Sequence, residues 1–405
     1  MDELLQKADN LRVLYVAPDV VVPFPRGAST HVMEVAKGLA DAGDEVHVLS
    51  RRLDRSQARC ERVGRVTIHR IDRGILGPVP GSKYSKLDEG TTEASGLIGA
   101  LYRFYLSWLF MGYAASVSLH IVRKYGIQVV LERETAFGAG ALAGLGGGIP
   151  FVLEVVGPRY SRVSATRAKK ILAYTKTMLV DIPDERVVIV DSGVDTSMFS
   201  PDPGAGHRVR MRLGIGEEEA LVGYVGTFQA WHGLDSVLKA LKALTPMMPL
   251  RLLLVGPYYG GVKAEARKLG LLSRCIFTGP VPYEDVPHLV NACQVMVAPY
   301  DPGASKVRSE RGIGSPLKVF EYMACGKPVI TTDIEPTNRL PGVGRAAVLV
   351  PPGDPGAISK AIELVLADPA KAARMGIAGR ALVENGYSWK SFANRLHGIL
   401  EVAAG

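Results

Sequence analysis

Ser315-Pro316-Leu317-Lys318-Val319-Phe320-Glu321-Tyr322-Met323-Ala324-Cys325-Gly326-Lys327-Pro328-Val329-Ile330 reads as a loop, a short helix and a buried strand. Gly312, Gly314, Ser315 and Pro316 form the loop. Ser315 is suited to cap the helix and Pro316 to occupy its first position. Gly326 ends the helix, and Pro328-Val329-Ile330-Thr331-Thr332 has the β-branched content of a strand. Free N–H groups at such a helix start attract anions. Lys318 and Glu321 lie three apart and share a helix face. One is a cation suited to phosphate, the other a carboxylate suited to a ribose diol. An ordinary surface ion pair is the alternative that these residues leave open.

The same alternation of strand, loop and helix runs outward in both directions. Leu11–Pro18 has a buried-strand pattern, and a turn follows that contains Gly27, Ala28 and His31. A helix is expected from His31 to Ala42, closed by Gly43, and then a strand over Glu45–Ser50. Ile127–Glu134 and Pro150–Pro158 are strands whose C-terminal ends carry Arg133, Glu134 and Glu154. Open α/β sheets bind ligands at such ends. A structural ion pair of Arg133 with a neighbouring glutamate is the alternative. The pattern restarts at Ala220–Gly226, followed by Thr227 and His232, and continues through Leu250–Pro257 and Cys275–Val281.

The 405-residue length suggests two or three domains, and 47% hydrophobic with 22% charged residues is a globular composition. Cysteines stand only at 60, 275, 293 and 325, with no C-x-x-C spacing, which points to a reducing cytoplasm. The amino-terminal segment is too polar for a signal peptide. A formal charge of +8 suits anionic partners, but no nucleic-acid motif accompanies it. The uncharged run Phe104–Leu119 is shorter than the roughly 20 residues of a membrane span, so a buried helix is expected. The basic residues Arg162, Arg167, Lys169, Lys170 and Lys176 are read as a solvated helix face, with peripheral membrane contact as the alternative.

The opening stretch resembles the donor-site motif of the family-4 retaining glycosyltransferases. Their usual form is a glutamate, seven residues, a second glutamate and a Met-Ala-Cys-Gly-Lys-Pro-Val-like segment. Glu321 is the second glutamate here, and Ile313 stands where the first would be. A variant of the family reads Ser-Pro-Leu-Lys-x-Phe-Glu-Tyr-Met-Ala, which this chain has intact. The resemblance implies the α/β GT-B fold, two facing Rossmann-like domains with a deep interdomain cleft. It places an acceptor-side domain over residues 1–200, a donor domain over 201–386, with Pro201–Gly206 as linker, and a helix at about 387–405 packing back on the first domain.

The resemblance also implies the activity: a hexose-type sugar passes from a nucleotide-diphosphate donor to an acceptor hydroxyl with retention. UDP is favoured only as a common donor, and no Asp-x-Asp motif stands at a suitable strand end, so no metal or other cofactor is expected. The acceptor is unspecified: a glycan, a lipid-linked group or a small molecule. Donor-binding positions carried over are Gly27, Ala28, Gly226, Thr227, His232, Gly256, Val281, Ser315, Pro316, Leu317, Lys318 and Glu321. Thr227 and His232 stand where the family has an arginine and a lysine, so Lys318 is expected to supply the cation that the lysine would give, sharing the task with His232 and with Arg308 or Arg311. Arg133, Glu134 and His31 are the catalytic-face candidates, and Glu310 a weak substitute for the glutamate absent at Ile313. Arg26, where the family has a glycine, is read as a solvent-facing side chain with a phosphate contact as the alternative, and the polar segment Gly74–Ser95 as a loop near the cleft. A sugar-nucleotide epimerase and a non-catalytic nucleotide-sugar-binding protein are the rival functions.

Overall fold

The computed structural model describes residues 10–24, 27–72, 97–135, 137–157, 160–179, 182, 184–244, 248–257 and 261–405. Arg26 and the whole loop at 74–95 lie outside them, as do the side chains of Arg308 and Arg311. The chain divides into two compact units. One comprises Met1–Ala173, Val180–Val190 and Ala393–Gly405; the other comprises Tyr174–Leu179 and Asp191–Phe392. The division at Asp191 falls before the sequence boundary of 200. The reason is that Val194 exchanges backbone hydrogen bonds with Tyr387 and Trp389, and Phe199 is fully buried in the second unit's core.

The first unit contains β1 (Arg12–Val21), α1 (Gly27–Ala42), β2 (Glu45–Arg51), β3 (Cys60–Val63), β4 (Val66–Ile71), α2 (Leu97–Tyr125), β5 (Val129–Arg133), α3 (Ala139–Gly147), β6 (Phe151–Val155), α4 (Arg162–Arg167), β7 (Lys170–Ala173) and β8 (Val187–Ile189). Its sheet has the order β3-β4-β2-β1-β5-β6-β7-β8, and only the β3–β4 pair is antiparallel. Helix α1 starts at Gly27, so His31 is one turn inside it and not at its start. Over its described side chains, helix α2 is only partly buried. Phe110, Met111, Ala114 and Ser118 pack inward, whereas Tyr105, Trp108 and Tyr113 are about half exposed. The uniformly apolar run hid this because its outward positions are aromatic and not charged. Among the described residues, no helix is long and apolar enough to cross a membrane.

The second unit contains α5 (Pro203–Arg212), β9 (Ala220–Val225), α6 (Leu234–Leu244), β10 (Leu250–Val255), α7 (Val262–Lys268), β11 (Cys275–Gly279), α8 (Val286–Asn291), β12 (Val295–Ala298), α9 (Lys306–Arg311), α10 (Leu317–Ala324), β13 (Val329–Thr332), α11 (Val343–Ala346), β14 (Ala347–Val350), α12 (Pro355–Ala367), α13 (Pro369–Gly386) and the start of α14 (Trp389–Ala404). Its sheet is fully parallel with the order β11-β10-β9-β12-β13-β14, that of a dinucleotide-binding fold. Strand order reverses between β9 and β12. Alternate residues of β10 face opposite sides. Leu253 and Val255 join one core with Phe320 and Tyr322, and Leu252 and Leu254 join the other with Leu238 and Leu241. The segment read as a linker is the start of α5, because Asp202 accepts the Ala205 N–H and Pro203 occupies the first turn.

The carboxyl-terminal part of α14 belongs to the first unit. Buried Asp44 accepts the Leu11 N–H at 3.0 Å and pairs with His397 Nδ1 at 2.9 Å. Removing one partner of a buried pair leaves the others unsatisfied. Asp44→Ala should therefore lower stability by about 3 kcal/mol in urea unfolding. A loss below about 1 kcal/mol would show that the pair does not anchor α14.

Candidate functional site

Helix α10 is amphipathic: Val319, Phe320, Tyr322 and Met323 are buried in the core, and Arg380 covers its C-terminal end by donating to the Ala324 carbonyl. Gly326, at φ +66°, ends it as its composition predicts. The start differs from expectation. Pro316 occupies the N-cap position and no side chain caps the helix. Ser315 therefore lies one residue too early to act as the cap, and its Oγ is buried with no hydrogen-bond partner among the described residues.

Lys318 and Glu321 do not pair with each other by hydrogen bond. Lys318 Nζ donates to the Tyr224 hydroxyl at 3.0 Å and lies over the Tyr224 and Tyr300 rings, 4.5 and 5.2 Å from their centroids. Glu321 is buried, and its Oε1 accepts from the Tyr283 hydroxyl at 2.7 Å. Its Oε2 has no hydrogen-bond partner among the described residues. Burial pushes the Lys318 ammonium down to about 7, against the opposing charge of Glu321. Burial pushes the Glu321 carboxyl up to about 7, opposed by the Tyr283 hydrogen bond and by Lys318. Both groups thus sit where a small change of surroundings changes their charge.

The strand ends beside them are built from glycine. Gly226 follows β9 at φ +144°, and a β-carbon there would lie 3.0 Å from Lys318 Nζ. Gly256 follows β10 at φ +137°, where a β-carbon would lie 2.0 Å from the Gly226 carbonyl oxygen. Thr227 and His232 are bound to each other: His232 Nδ1 donates to the Thr227 carbonyl at 2.5 Å, and the imidazole is buried. His232 thus shapes the β9 loop, and Lys318 is the cation at the α10 start. Val281 is half-buried beyond β11 and packs on the same core as Tyr283. Ile313, where the family's first glutamate would stand, is itself a core residue, and Glu310 on α9 is exposed.

In the first unit the strand ends carry a second polar cluster. Glu154 is buried at the end of β6, accepts from the Tyr15 hydroxyl at 2.5 Å, and pairs with His31 Nε2 at 2.5 Å. It is also the register partner of Arg133 on β5. Burial would raise its pKa, but His31, Arg133 and the Tyr15 hydroxyl together hold it below the ordinary value. Glu134 Oε2 accepts the backbone N–H groups of Val156 and Gly157 at 3.0 and 2.8 Å, so its carboxylate fixes the β6 exit. Gly27 is exposed, with none of the described residues beyond its chain neighbours within 4 Å of where a β-carbon would be, and Ala28 beside it is half-buried.

The sequence reading missed Tyr15, Tyr224, Tyr283 and Tyr300, which meet their partners only through folding. It also passed over Glu132. That carboxylate is fully buried and accepts from the Thr135 hydroxyl and the Ala141 N–H, both at 2.7 Å. Burial raises its pKa to about 7. Its position one residue before Arg133 in an apolar strand was the only available signal.

Residues 208–382 match the family described as Glycosyl transferases group 1. The chain is 31% identical over 211 residues to the GDP-mannose-dependent alpha-(1-6)-phosphatidylinositol monomannoside mannosyltransferase of Mycolicibacterium smegmatis. That match covers 51% of this chain and 54% of the relative, so the chain spans about half of that protein's length. It is 25% identical to the D-inositol 3-phosphate glycosyltransferase of Acidothermus cellulolyticus, over 93% of this chain and 85% of the relative. Among solved structures, sucrose-phosphate synthase from Thermosynechococcus elongatus superposes with a TM-score of 0.71 at 20% identity, covering 96% of this chain and 98% of that one. Anabaena HepE in complex with UDP and glucose gives 0.70 at 16% identity, covering 96% and 99%. The fold is GT-B, as the sequence resemblance implies.

Proposed function

We infer that this chain is a glycosyltransferase that moves a hexose from a nucleoside diphosphate donor to an acceptor hydroxyl. One observation carries the reading: Ser315 Oγ just before α10, and Lys318 Nζ and Glu321 Oε2 on it, at successive three-residue intervals, retain hydrogen-bonding capacity among the described residues in a largely buried setting. Buried polar groups are normally satisfied. A diphosphate would satisfy Ser315, Lys318 and the free N–H groups of the helix start, and a ribose hydroxyl would satisfy Glu321. Gly226 leaves the room this requires.

On this reading the protein's task is to position the donor and stabilise the charge of the departing diphosphate. Retention of anomeric configuration and independence of metal belong to the proposal, as does the use of the leaving diphosphate to deprotonate the acceptor. Acceptor contacts are proposed for the C-terminal ends of β5 and β6, where Arg133 and Glu134 stand. The sequence reading favours uridine as the donor base, while the mannosyltransferase relative is GDP-mannose-dependent. A thermal-stability panel of UDP-, GDP- and ADP-sugars in EDTA tests both points. A donor at 100 times its dissociation constant adds about 2.7 kcal/mol. Stabilisation by none of them, in EDTA or in magnesium, would overturn the assignment. Donor binding with neither hydrolysis nor transfer would move the protein to the binding-only class.

The same geometry sets a pH dependence. An anionic diphosphate favours protonated Lys318, so affinity falls as pH rises above about 7. A ribose hydroxyl donating to Glu321 favours the ionised carboxylate, so affinity falls as pH drops below about 7. Affinity for the nucleoside diphosphate should therefore peak near neutrality. Lys318→Arg should flatten the alkaline side, because arginine keeps its charge throughout. Calorimetric titration from pH 5 to 9 checks this, and an unchanged alkaline side in Lys318→Arg would remove Lys318 from the phosphate site.

A further inference from the structure

Tyr283 stands on a single helical turn, Tyr283–Asp285, in the connection from β11 to α8. Its ring packs on the fully buried Phe199, with centroids 5.4 Å apart. That packing holds the hydroxyl at 2.7 Å from Glu321 Oε1, across 38 residues of sequence. Only one carboxylate oxygen is thereby occupied. We propose that Tyr283 is a positioning residue for the donor nucleotide: its hydroxyl fixes the Glu321 carboxylate so that Oε2 takes the ribose diol.

This inference rests on the donor-site reading of α10 and extends it to a residue outside the motif. The chemistry is specific. A carboxylate at the end of a flexible side chain loses rotamer freedom when it binds a hydroxyl. A hydrogen bond to Oε1 removes that freedom in advance, and the phenol, which donates one hydrogen, also favours the ionised form. The other titratable groups acting with Glu321 are Lys318, Tyr322 and Cys325 on its own helix and Tyr300 after β12. All but Lys318 are neutral near pH 7, which leaves the Tyr283 hydrogen bond and the Lys318 charge as the two influences that favour ionisation of Glu321. Tyr283 also lies two residues from Val281, so it links the segment expected beside the base to the group expected on the ribose.

The test is Tyr283→Phe, which keeps the ring on Phe199 and removes only the hydroxyl. Binding of UDP and GDP, and of their 2′- and 3′-deoxyribose analogues, is measured by calorimetry from pH 5 to 9. The variant should bind the better ribonucleotide about tenfold more weakly, the size of one hydrogen bond to a charged group. The acid side of its affinity profile should move to higher pH, because the carboxylate has lost a donor. The loss should shrink for the analogue lacking the ribose hydroxyl that Glu321 holds. An unchanged acid side, or an equal loss with every analogue, would overturn the proposal while leaving the donor site in place. Wild-type protein that binds no nucleoside diphosphate would instead remove the donor-site reading itself. Unfolding temperature is recorded for both proteins, and a Tyr283→Leu variant that matched Tyr283→Phe in affinity and pH profile would confirm that the hydroxyl, not the ring, carries the effect.

Discussion

Lys318→Ala is expected to weaken nucleoside diphosphate binding by two to three orders of magnitude, about 3–4 kcal/mol, while leaving the unfolding temperature unchanged or slightly higher. The two effects separate because the lysine is costly to the fold and useful to the ligand. Burial lowers its pKa from the ordinary lysine range to about 7. The folded state therefore disfavours the protonated form. The resulting destabilisation is full below about pH 7 and fades as pH rises toward the unfolded value. Alanine abolishes that cost and loses the bond to Tyr224, the contact with two aromatic rings and the attraction to Glu321. A diphosphate bound as proposed, by contrast, loses a cation in a partly desolvated place. Calorimetry and thermal unfolding on the same preparation measure both quantities. Binding within about threefold of wild type would exclude Lys318 as the phosphate cation.

Gly256→Ala should lower the second unit's stability by about 3 kcal/mol, a fall of roughly 6–12 °C in unfolding temperature. Two terms contribute. The backbone sits at φ +137°, which side chains rarely adopt, and the new β-carbon would lie 2.0 Å from the Gly226 carbonyl oxygen. That oxygen cannot retreat freely, because Gly226 donates to Val255 and Gly256 donates to Gly279, joining the ends of β9, β10 and β11. Displacing Gly226 also disturbs Lys318 and Tyr224, each 3.0 Å from where its own β-carbon would be. Donor affinity should therefore fall together with stability. Gly270→Ala is the control. Its φ is +75° but nothing lies within 4 Å, so only backbone strain of about 1 kcal/mol remains. Equal losses in the two variants would show that the collision at Gly256 is relieved without consequence.

The parallel sheets and most of their strands were legible in the sequence because strands buried on both faces read as continuous apolar runs. The short β7, with Lys170 at its start, and the hairpin strand β3 were not, since neither is uniformly apolar. Helix α10 was legible down to its Gly326 terminus because capping and turn chemistry are local. Its start was not: the bend at Pro316 moved Ser315 out of the cap and left its hydroxyl without a partner.

By itself, then, the sequence determined what periodicity and local backbone chemistry control: two α/β units, a helix entered from a Gly-rich loop, and Lys318 and Glu321 three residues apart upon it. Tertiary structure alone decided what those two side chains do. It brought Tyr224 to Lys318 across 94 residues and Tyr283 to Glu321 across 38. It buried Ile313 at the position of the family's first glutamate, and it tied His31 to Glu154 across 123 residues. Burial and long-range partners set the charge and the open valences of a group, and neither is written in the residues beside it.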